Sequence, residues 1–287
     1  MTGFAHFVTE EQSGMKPAME TLVDKALEGD LESLEELIAG LQDRVYGLAI
    51  RMLSHPSDAE DATQEILLKV VTNLGSFQKK SSFITWVYRI ASNHLLTTRK
   101  RRAERWGISF EFCEEMVDRG LEYGRSNPSY EAERGLIVKE TMIACLQAVL
   151  LCLDRKLRLT FILGHVFETN SVDGAQILDI TPAAFRKRLS RARELVRDFM
   201  KKKCGLFNSE NPCRCARQVP FEEKRGMINA EKLLFATHPS KSSKEMPNPD
   251  QLRLMDEFQR LAALFRSHPD YVAPAGLVDY LRAALRT

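Results

Sequence analysis

Residues 57–74 have the sequence SDAEDATQEILLKVVTNL, and this stretch predicts the architecture of the first half of the chain. Apolar residues recur at intervals of three and four, which is the spacing of one buried helix face; they are Ala59, Ala62, Ile66, Val70 and Leu74. Ser57 followed by Glu60 predicts a capping box at the start of this helix. The stretch is therefore predicted to be an amphipathic helix that packs against neighbouring helices.

The face opposite to the apolar one carries a second pattern. Asp61, Gln64, Glu65 and Leu68 are spaced i, i+3, i+4 and i+7, so they form one stripe along the helix. By itself, an acidic stripe of this kind is usually just a solvated surface.

Helical periodicity extends over most of the chain, and no alternating strand pattern is present. Predicted helices cover residues 21–54, a segment from Phe83, and residues 134–153, 156–167, 171–178 and 181–200. Beyond residue 203, two further amphipathic helices carry Leu252, Met255, Phe258, Leu261 and Phe265, and then Leu277, Leu281 and Leu285. The predicted fold class is all-α.

Composition suggests several small domains in one chain. The 287 residues are 44% hydrophobic and 28% charged, with a net charge of only +2. The positive charge is nevertheless concentrated: residues 99–105 hold five positive residues and one negative, and residues 186–203 hold nine and two. Two separated basic clusters indicate two contacts with a polyanion. The N-terminus does not resemble a signal peptide, and we expect a cytoplasmic protein without membrane contact.

Residues 171–200 have the proportions of a helix-turn-helix. Thr181 and Pro182 predict the start of its second helix, and Phe185, Leu189, Ala192 and Val196 are expected to anchor that helix in the core. The positions left facing outward or sideways are Ala183, Ala184, Arg186, Lys187, Ser190 and Arg191. Such a helix suits the major groove of DNA, although an ordinary basic helix in a bundle has the same pattern.

A third group of residues suits unpaired DNA. Arg89, Asn93 and Lys100 fall on one side of the helix that starts at Phe83, close to Trp86 and to a short loop with Phe77, Lys79 and Lys80. Aromatic rings that stack on bases and cations that contact phosphates are what single-stranded DNA binding requires. The alternative places Trp86 and Phe77 in the core.

Order and spacing combine these patterns into a family resemblance. Residues 58–65, DAEDATQE, followed by residues 83–93, FITWVYRIASN, resemble the second conserved region of bacterial sigma factors. Residues 177–181, ILDIT, and 188–193, RLSRAR, resemble the fourth region of the same family. The linker between them leaves no room for a third region, which is typical of the extracytoplasmic-function group.

The resemblance implies a domain organisation: a tail at 1–20, region 2 at 21–105, a linker at 106–134, region 4 at 135–200 and a C-terminal extension at 201–287. It also implies a non-enzymatic function, in which the chain directs RNA polymerase core to specific promoters. Regulation is expected from an anti-sigma factor or from the extension itself. A helix-turn-helix regulator acting without core polymerase is the alternative, and an enzyme is disfavoured because no acid/base motif accompanies the scattered histidines.

The resemblance also implies roles for single residues. Asp61, Gln64, Glu65 and Leu68 would bind the largest subunit of the polymerase. Phe77, Lys79, Lys80, Arg89, Asn93 and Lys100 would capture the melted strand of the −10 element. The helix from Thr181, with Ala183, Ala184, Arg186, Lys187, Ser190 and Arg191, would bind the −35 element. Three positions depart from the family: Asp179 stands where glycine is usual, Gly174 where an aliphatic residue is usual and Asp154 where proline is often found.

Cysteines form a separate motif after the second basic cluster. Cys204, Cys213 and Cys215 lie within twelve residues, beside Lys201–Lys203 and Arg214, and we expect these positive neighbours to lower the pKa values of the thiols. Three thiols suit part of a zinc site, but a closed site needs four ligands, and Cys145 and Cys152 fit a helical core better than a metal shell. Structural zinc, a thiol-based sensor and inert cysteines remain as alternatives.

Overall fold

The structure is a computed structural model that describes residues 19–98, 107–126, 135–241 and 248–276. Within these ranges the chain is helical, and the only β-type pairings are two isolated bridges, Cys204 with Cys213 and Ser240 with Tyr271. The predicted all-α fold is confirmed.

In the described part of the first half there are four helices: α1 at 19–27, α2 Leu31–Leu53, α3 Pro56–Thr72 and α4 Phe83–Thr97. A short 3₁₀ turn, Leu74–Ser76, follows α3. The apolar faces of these helices meet in a common core, in which Leu41, Val45, Ile66 and Ala91 are fully buried. Burial of this kind, at about 25 cal/mol per Å² of apolar surface, is the main stabilising contribution to such a bundle.

Two local expectations for this half are wrong. The predicted helix over residues 21–54 is interrupted, because Gly29 has φ +95° and Asp30 then caps α2 by accepting a hydrogen bond from the Glu32 amide at 3.2 Å. The capping box at Ser57 does not form either. α3 begins one residue earlier at Pro56, with His55 as an N-cap that makes no side-chain hydrogen bond, since proline is already preorganised for the first helical position.

The segment expected to be a linker contains a helix. α5, Phe110–Ser126, packs along the second half of the molecule and buries only Cys113 and Gly120. Lys202 forms an ion pair with Glu114 of this helix, and Lys203 forms another with Asp118 at 2.7 Å. The Phe110 ring lies 5.8 Å from that of Phe199.

The second half is built from α6 Gly135–Cys152, α7 Arg155–Phe161 with the π-helical turn Ile162–Val166, α8 Ser171–Leu178 and α9 Pro182–Lys203. Arg158 is buried where the two halves meet: its guanidinium donates to the carbonyl of Met52 at the end of α2 at 2.6 Å and to that of Leu153 at 3.0 Å. These bonds satisfy a buried charge and hold the two halves together.

The C-terminal extension contacts both halves. It contains α10 Cys215–Lys224, α11 Pro249–Leu254 and α12 Glu257–Arg266, so the first amphipathic stretch predicted there is divided into two short helices. The second predicted stretch, with Leu277, Leu281 and Leu285, lies outside the described residues. The buried Glu140 carboxylate of α6 accepts hydrogen bonds from three consecutive backbone amides of the extension, at residues 234–236.

The extension also covers α2. The Tyr46 hydroxyl is 2.7 Å from Nε2 of His238, and Asp43 accepts a bond from the Ala273 amide at 2.8 Å. Arg51 is buried with its guanidinium 5.5 Å from the Phe167 ring and 5.5 Å from the Tyr271 ring. The extension is therefore a strap across the two halves rather than a separate domain.

By length and composition alone, α6 is apolar enough to cross a membrane, and half of its most apolar window is buried inside the protein. A core helix of a soluble protein meets the same test, and the packing of α6 against α2, α5 and α10 explains its apolar character.

Candidate nucleic-acid interface

Helices α8 and α9 form a helix-turn-helix whose turn is fixed by backbone and cap geometry. Asn170 caps α8 by accepting from the amides of Val172 and Asp173, both at 2.9 Å. Asp179 adopts the left-handed conformation, φ 54° and ψ 49°, in the position where glycine was expected, and aspartate tolerates this region better than most residues. Thr181 then caps α9 by accepting from the Ala184 amide at 3.2 Å.

Gly174 has a packing reason for lacking a side chain. A Cβ atom placed there would lie 2.3 Å from the Phe185 ring, and one placed on Gly164 would lie 2.7 Å from Leu189. Phe185 and Leu189 both belong to α9. The glycines therefore allow α9 to approach α8 and the preceding turn closely, and the departure from the family pattern at residue 174 does not loosen the motif.

The residues expected to face outward from α9 do so with one exception. Thr181, Ala183, Arg186, Lys187, Ser190 and Arg191 are exposed, whereas Ala184 is half-buried. Phe185, Leu189, Ala192 and Val196 are buried as predicted. The N-terminal half of α9 thus presents a basic surface, the arrangement that a recognition helix uses to contact bases and phosphates.

The aromatic residues of the other predicted DNA surface form a small cluster. The rings of Phe77, Phe83 and Trp86 lie 5.2 to 5.6 Å apart, with Phe83 buried and the other two half-buried. The two alternatives for Phe77 and Trp86, stacking on bases and burial in the core, are therefore each compatible with part of the ring surface. The cluster stiffens the loop, and Phe77 and Trp86 still offer ring surface to a ligand.

The polar residues of this surface are distributed around the cluster. Lys79, Lys80, Arg89 and Asn93 are exposed. Lys79 forms an ion pair with Asp24 of α1. Lys100, and with it the basic cluster at 99–105, lies outside the described residues, so its placement beside Arg89 and Asn93 stays a prediction.

The predicted −10 surface lies against α8 and the turn of the helix-turn-helix. Arg89 of α4 forms an ion pair with Asp179 in the turn of the helix-turn-helix, with 3.2 Å between Nη2 and Oδ1. A cavity of about 560 Å³ lies beside this contact, between Phe77, Lys80 and Trp86 on one side and Gln176 and Pro182 on the other. Sequence reasoning missed this contact, because no periodicity reports which surfaces of two domains meet.

The acidic stripe lies on the outer side of α3. Asp61 and Glu65 are exposed, Gln64 and Leu68 are half-buried, and the alternating positions Ala62 and Ile66 are buried. Glu65 lies 3.6 Å from the ring of His94 on α4. The stripe is accessible to a partner that approaches α3 from solvent.

The cysteines are arranged differently from the expectation. Cys204, Cys213, Cys215 and also Cys145 of α6 line a second cavity, of about 360 Å³, between α5, α6, α9 and α10. Burial raises the pKa values of all four thiols, that of Cys213 to about 11. The prediction of thiolates is wrong, since removal from water disfavours the charged form more than the neighbouring arginines favour it.

The zinc hypothesis gains no support from this arrangement. In the described ranges, which include all six cysteines, no group of three or more His, Cys, Asp or Glu side chains is placed to hold a metal ion. The sulfur atoms that do meet are those of Cys113 and Cys152, 3.4 Å apart. The sequence pattern placed Cys152 in a helical core, but it did not predict the contact with Cys113 of α5.

The fold and these surfaces define the class: an all-α protein with a basic helix-turn-helix and a second, aromatic and basic surface on a helical bundle. Comparison with known proteins agrees. Residues 37–105 match the family Sigma-70 region 2, which covers most of α2 and all of α3 and α4.

Relatives extend this match beyond the first half. The chain is 26% identical over 188 residues to the ECF RNA polymerase sigma factor SigW of Bacillus subtilis, which covers 62% of this chain and 97% of the relative. It is 26% identical to the RNA polymerase sigma-H factor of Pseudomonas aeruginosa, over 66% of this chain and 94% of the relative. It is 28% identical to the ECF RNA polymerase sigma-E factor of Escherichia coli K12, over 62% of this chain and 91% of the relative.

The matched region and these relatives support a factor of the sigma-70 family, of the extracytoplasmic-function group. The chain is longer than these relatives.

Proposed function

We propose that this protein is an alternative sigma factor that binds RNA polymerase core, contacts the −35 element through α9, and captures the melted −10 strand through the α3–α4 loop and α4. The observation that carries the proposal is the order of two modules in one chain: the bundle matched by region 2 precedes a helix-turn-helix with an exposed basic recognition helix. This function needs no cofactor and places the protein in the cytoplasm with the polymerase.

The acidic stripe is the proposed polymerase surface. Asp61 and Glu65 are exposed, whereas their helix neighbours Ala62 and Ile66 hold α3 in the core. The stripe can therefore bind a basic or apolar helix of the polymerase without any change in the bundle. Gln64 and Leu68, half-buried at its edge, supply the polar and apolar contacts that complete such an interface.

The two DNA surfaces are assigned to different forms of the promoter. α9 has the shape and charge to enter the major groove of duplex DNA, with Arg186 and Lys187 exposed near its N-terminus. Phe77 and Trp86, with Lys80, Arg89 and Asn93 around them, suit unpaired bases and their phosphates. Extruding bases costs a few kcal/mol, and stacking contacts of about 1–3 kcal/mol per base offset it.

The described conformation is the closed form of this factor. Elements named −35 and −10 are about 25 base pairs apart, which is roughly 85 Å of B-DNA at ~3.4 Å per base pair. Arg89 of the proposed −10 surface and Asp179 in the turn of the helix-turn-helix are in direct contact. Both elements cannot be bound while this contact exists, so the two halves must separate before promoter binding.

The C-terminal extension is proposed to favour the closed form. It is bound to α2 through Asp43, Tyr46 and Arg51, and to α6 through Glu140. It also reaches the end of α9, where Lys201 pairs with Glu257 of α12 at 2.8 Å. One segment that binds both halves adds to the free energy of their association, which gives the chain a means of self-regulation without a second protein.

Run-off transcription tests the proposal. Purified core polymerase, which starts poorly at promoters alone, is combined with the full chain and a library of candidate promoters. We expect specific transcripts that depend on the added chain. In the same assay, Arg186→Ala with Lys187→Ala should reduce transcription only from promoters with a −35 element. If the chain binds promoter DNA but no core polymerase, the alternative of an independent helix-turn-helix regulator is correct.

A second measurement isolates the polymerase surface. The double variant Asp61→Arg, Glu65→Arg should lose binding to core polymerase in pull-down experiments, because charge reversal changes an exposed surface and leaves the buried face of α3 intact. Its helical circular dichroism should match that of the unaltered protein. Glu231→Arg, at another exposed position, is the matched control and should bind normally. Normal binding by the double variant would refute the assignment of the stripe.

A further inference from the structure

We propose that Cys113 and Cys152 are a peroxide-sensitive modification site, which forms a reversible disulfide between the linker helix α5 and the end of α6. Their sulfur atoms are 3.4 Å apart. Among the described residues, no side-chain contact made by the other four cysteines is as short. An S–S bond of about 2 Å requires an approach of little more than 1 Å, which rotation about the two side chains and a small helix displacement supply.

The electrostatics of the pair favours reaction at Cys113. Either sulfur of the pair can donate the hydrogen bond between them, and this contact lowers the pKa of Cys113 and raises that of Cys152. The two residues are therefore unequal, with Cys113 as the nucleophile and Cys152 as the resolving thiol. The other four cysteines have raised pKa values because of burial, which makes them weaker nucleophiles at neutral pH.

Access to Cys113 is provided by the second cavity. Cys113 lines it together with Cys145 and with apolar residues such as Phe112, Val117 and Ile228. A hydroperoxide is small enough to enter a space of about 360 Å³. The apolar walls exclude bulky charged reductants more effectively than a small neutral oxidant.

The reaction balances with a hydroperoxide as the oxidant. The Cys113 thiolate attacks one peroxide oxygen, the O–O bond breaks, and a sulfenic acid and hydroxide (or alkoxide) are formed. The Cys152 sulfur then attacks the sulfenic sulfur, the S–S bond forms, and the sulfenic oxygen leaves as water with the Cys152 proton. Two electrons pass from the two thiols to the peroxide, and a dithiol reductant restores the thiols by exchange.

The bridge shortens the free connection between the two halves. The chain between the end of α4 near residue 98 and the start of α6 at residue 135 has about 37 residues, 17 of them in α5. With about 1.5 Å per residue in the helix and about 3.5 Å elsewhere, it spans at most roughly 95 Å. A bridge at residue 113 leaves about 15 residues, or roughly 50 Å. Oxidation therefore restricts the separation of the halves; this consequence rests on the proposed function.

Peptide mapping tests the site directly. The full-length protein is exposed to a small excess of hydrogen peroxide, alkylated under denaturing conditions, digested and analysed by mass spectrometry. We expect the Cys113–Cys152 peptide pair as the main disulfide, lost after treatment with dithiothreitol. A main disulfide between Cys204 and Cys213, whose backbones are already bridged, would overturn the proposal, as would unchanged alkylation of Cys113.

Single variants separate nucleophile from resolving thiol. Cys152→Ser should stop at the sulfenic acid, which dimedone labels on Cys113. Cys113→Ser should take up no label at Cys152, and Cys145→Ser, a cavity residue outside the pair, should form the disulfide normally. In run-off transcription the oxidised chain should be at least several-fold less active than equally treated Cys113→Ser, Cys152→Ser protein. Absence of transcription from every sample, reduced or oxidised, would refute the sigma function, while the peptide map still decides the disulfide.

Discussion

The guanidinium of Arg89 forms an ion pair with the carboxylate of Asp179, 3.2 Å away, and thereby joins the surface proposed to bind the −10 strand to the turn of the helix-turn-helix. Arg89 belongs to the proposed −10 surface, and Asp179 holds the turn of the helix-turn-helix. Promoter DNA thus competes with Asp179 for the same guanidinium. Closing the molecule and binding DNA are mutually exclusive for this residue.

Asp179→Asn should open the molecule slightly. Asparagine keeps the left-handed turn but loses the charge. Because the side chains of Arg89 and Asp179 are 49% and 80% exposed, the pair contributes at most about 1 kcal/mol. We expect up to an about five-fold increase in the open population, measured by energy transfer between labels on the two halves. Asp198→Asn, which removes an exposed charge elsewhere on the same domain, should leave the transfer efficiency unchanged.

Asn93→Ala should impair promoter opening more than closed-complex formation. Asn93 is exposed on α4, one helical turn beyond Arg89, and its proposed partner is the Watson–Crick edge of a base, which becomes available only when the strands separate. Transcription from a pre-melted promoter bubble should recover most of the loss, which can be measured beside the duplex template. Equal defects on both templates would show that Asn93 has no role in strand capture.

Gly174→Ala should destabilise the protein although alanine favours helices. A helical Gly→Ala change alone would stabilise by up to about 1 kcal/mol, but the new Cβ would lie 2.3 Å from the Phe185 ring. Overpacking of this kind costs about 1–3 kcal/mol, so the net effect is a loss of stability in urea denaturation. Gly75→Ala, where no atom lies within 4 Å, is the control. An increase in stability at residue 174 would contradict the packing argument.

Stability should fall as the pH is lowered below about 6.5. Burial lowers the pKa of His165 to about 3, with the charges of Arg193 and Arg266 adding to the effect, and burial beside Arg51 lowers that of His268 to about 3. As the pH falls, the two histidines are protonated in the unfolded chain near their ordinary pKa of about 6.5, whereas in the folded state they stay neutral to about pH 3. The folded state therefore loses stability between about pH 6.5 and pH 3. At pH 5 the loss is about 2 kcal/mol per histidine.

The contribution of one histidine can be separated by substitution. The variant His268→Gln has no titrating side chain at this position. Between pH 6 and 4, the slope of its free energy of unfolding against pH should be smaller than that of the unaltered protein by about 1.4 kcal/mol per pH unit. Chemical denaturation at several pH values measures this slope. An unchanged slope would mean that His268 is protonated in the folded state or solvated there.

Local structure was largely predictable from residue patterns. The span Ser171–Leu178 and the start of α9 were predicted correctly, because apolar periodicity and the Thr181-Pro182 cap depend on neighbours within a few residues. The errors at Gly29 and Ser57 are local too. There, a left-handed glycine and an N1 proline outweighed an apolar pattern and a capping motif.

The sequence by itself determined the family resemblance, the helical fold and the buried faces of its main helices, since these follow from short-range spacing and from motif order. Only the tertiary structure decided that Arg89 meets Asp179, that Cys113 meets Cys152 and that Glu140 binds the extension. These contacts join residues 39 to 96 positions apart. Their formation depends on how whole helices pack, and burial then sets properties such as the raised thiol pKa values, which the neighbouring charges alone predicted with the wrong sign.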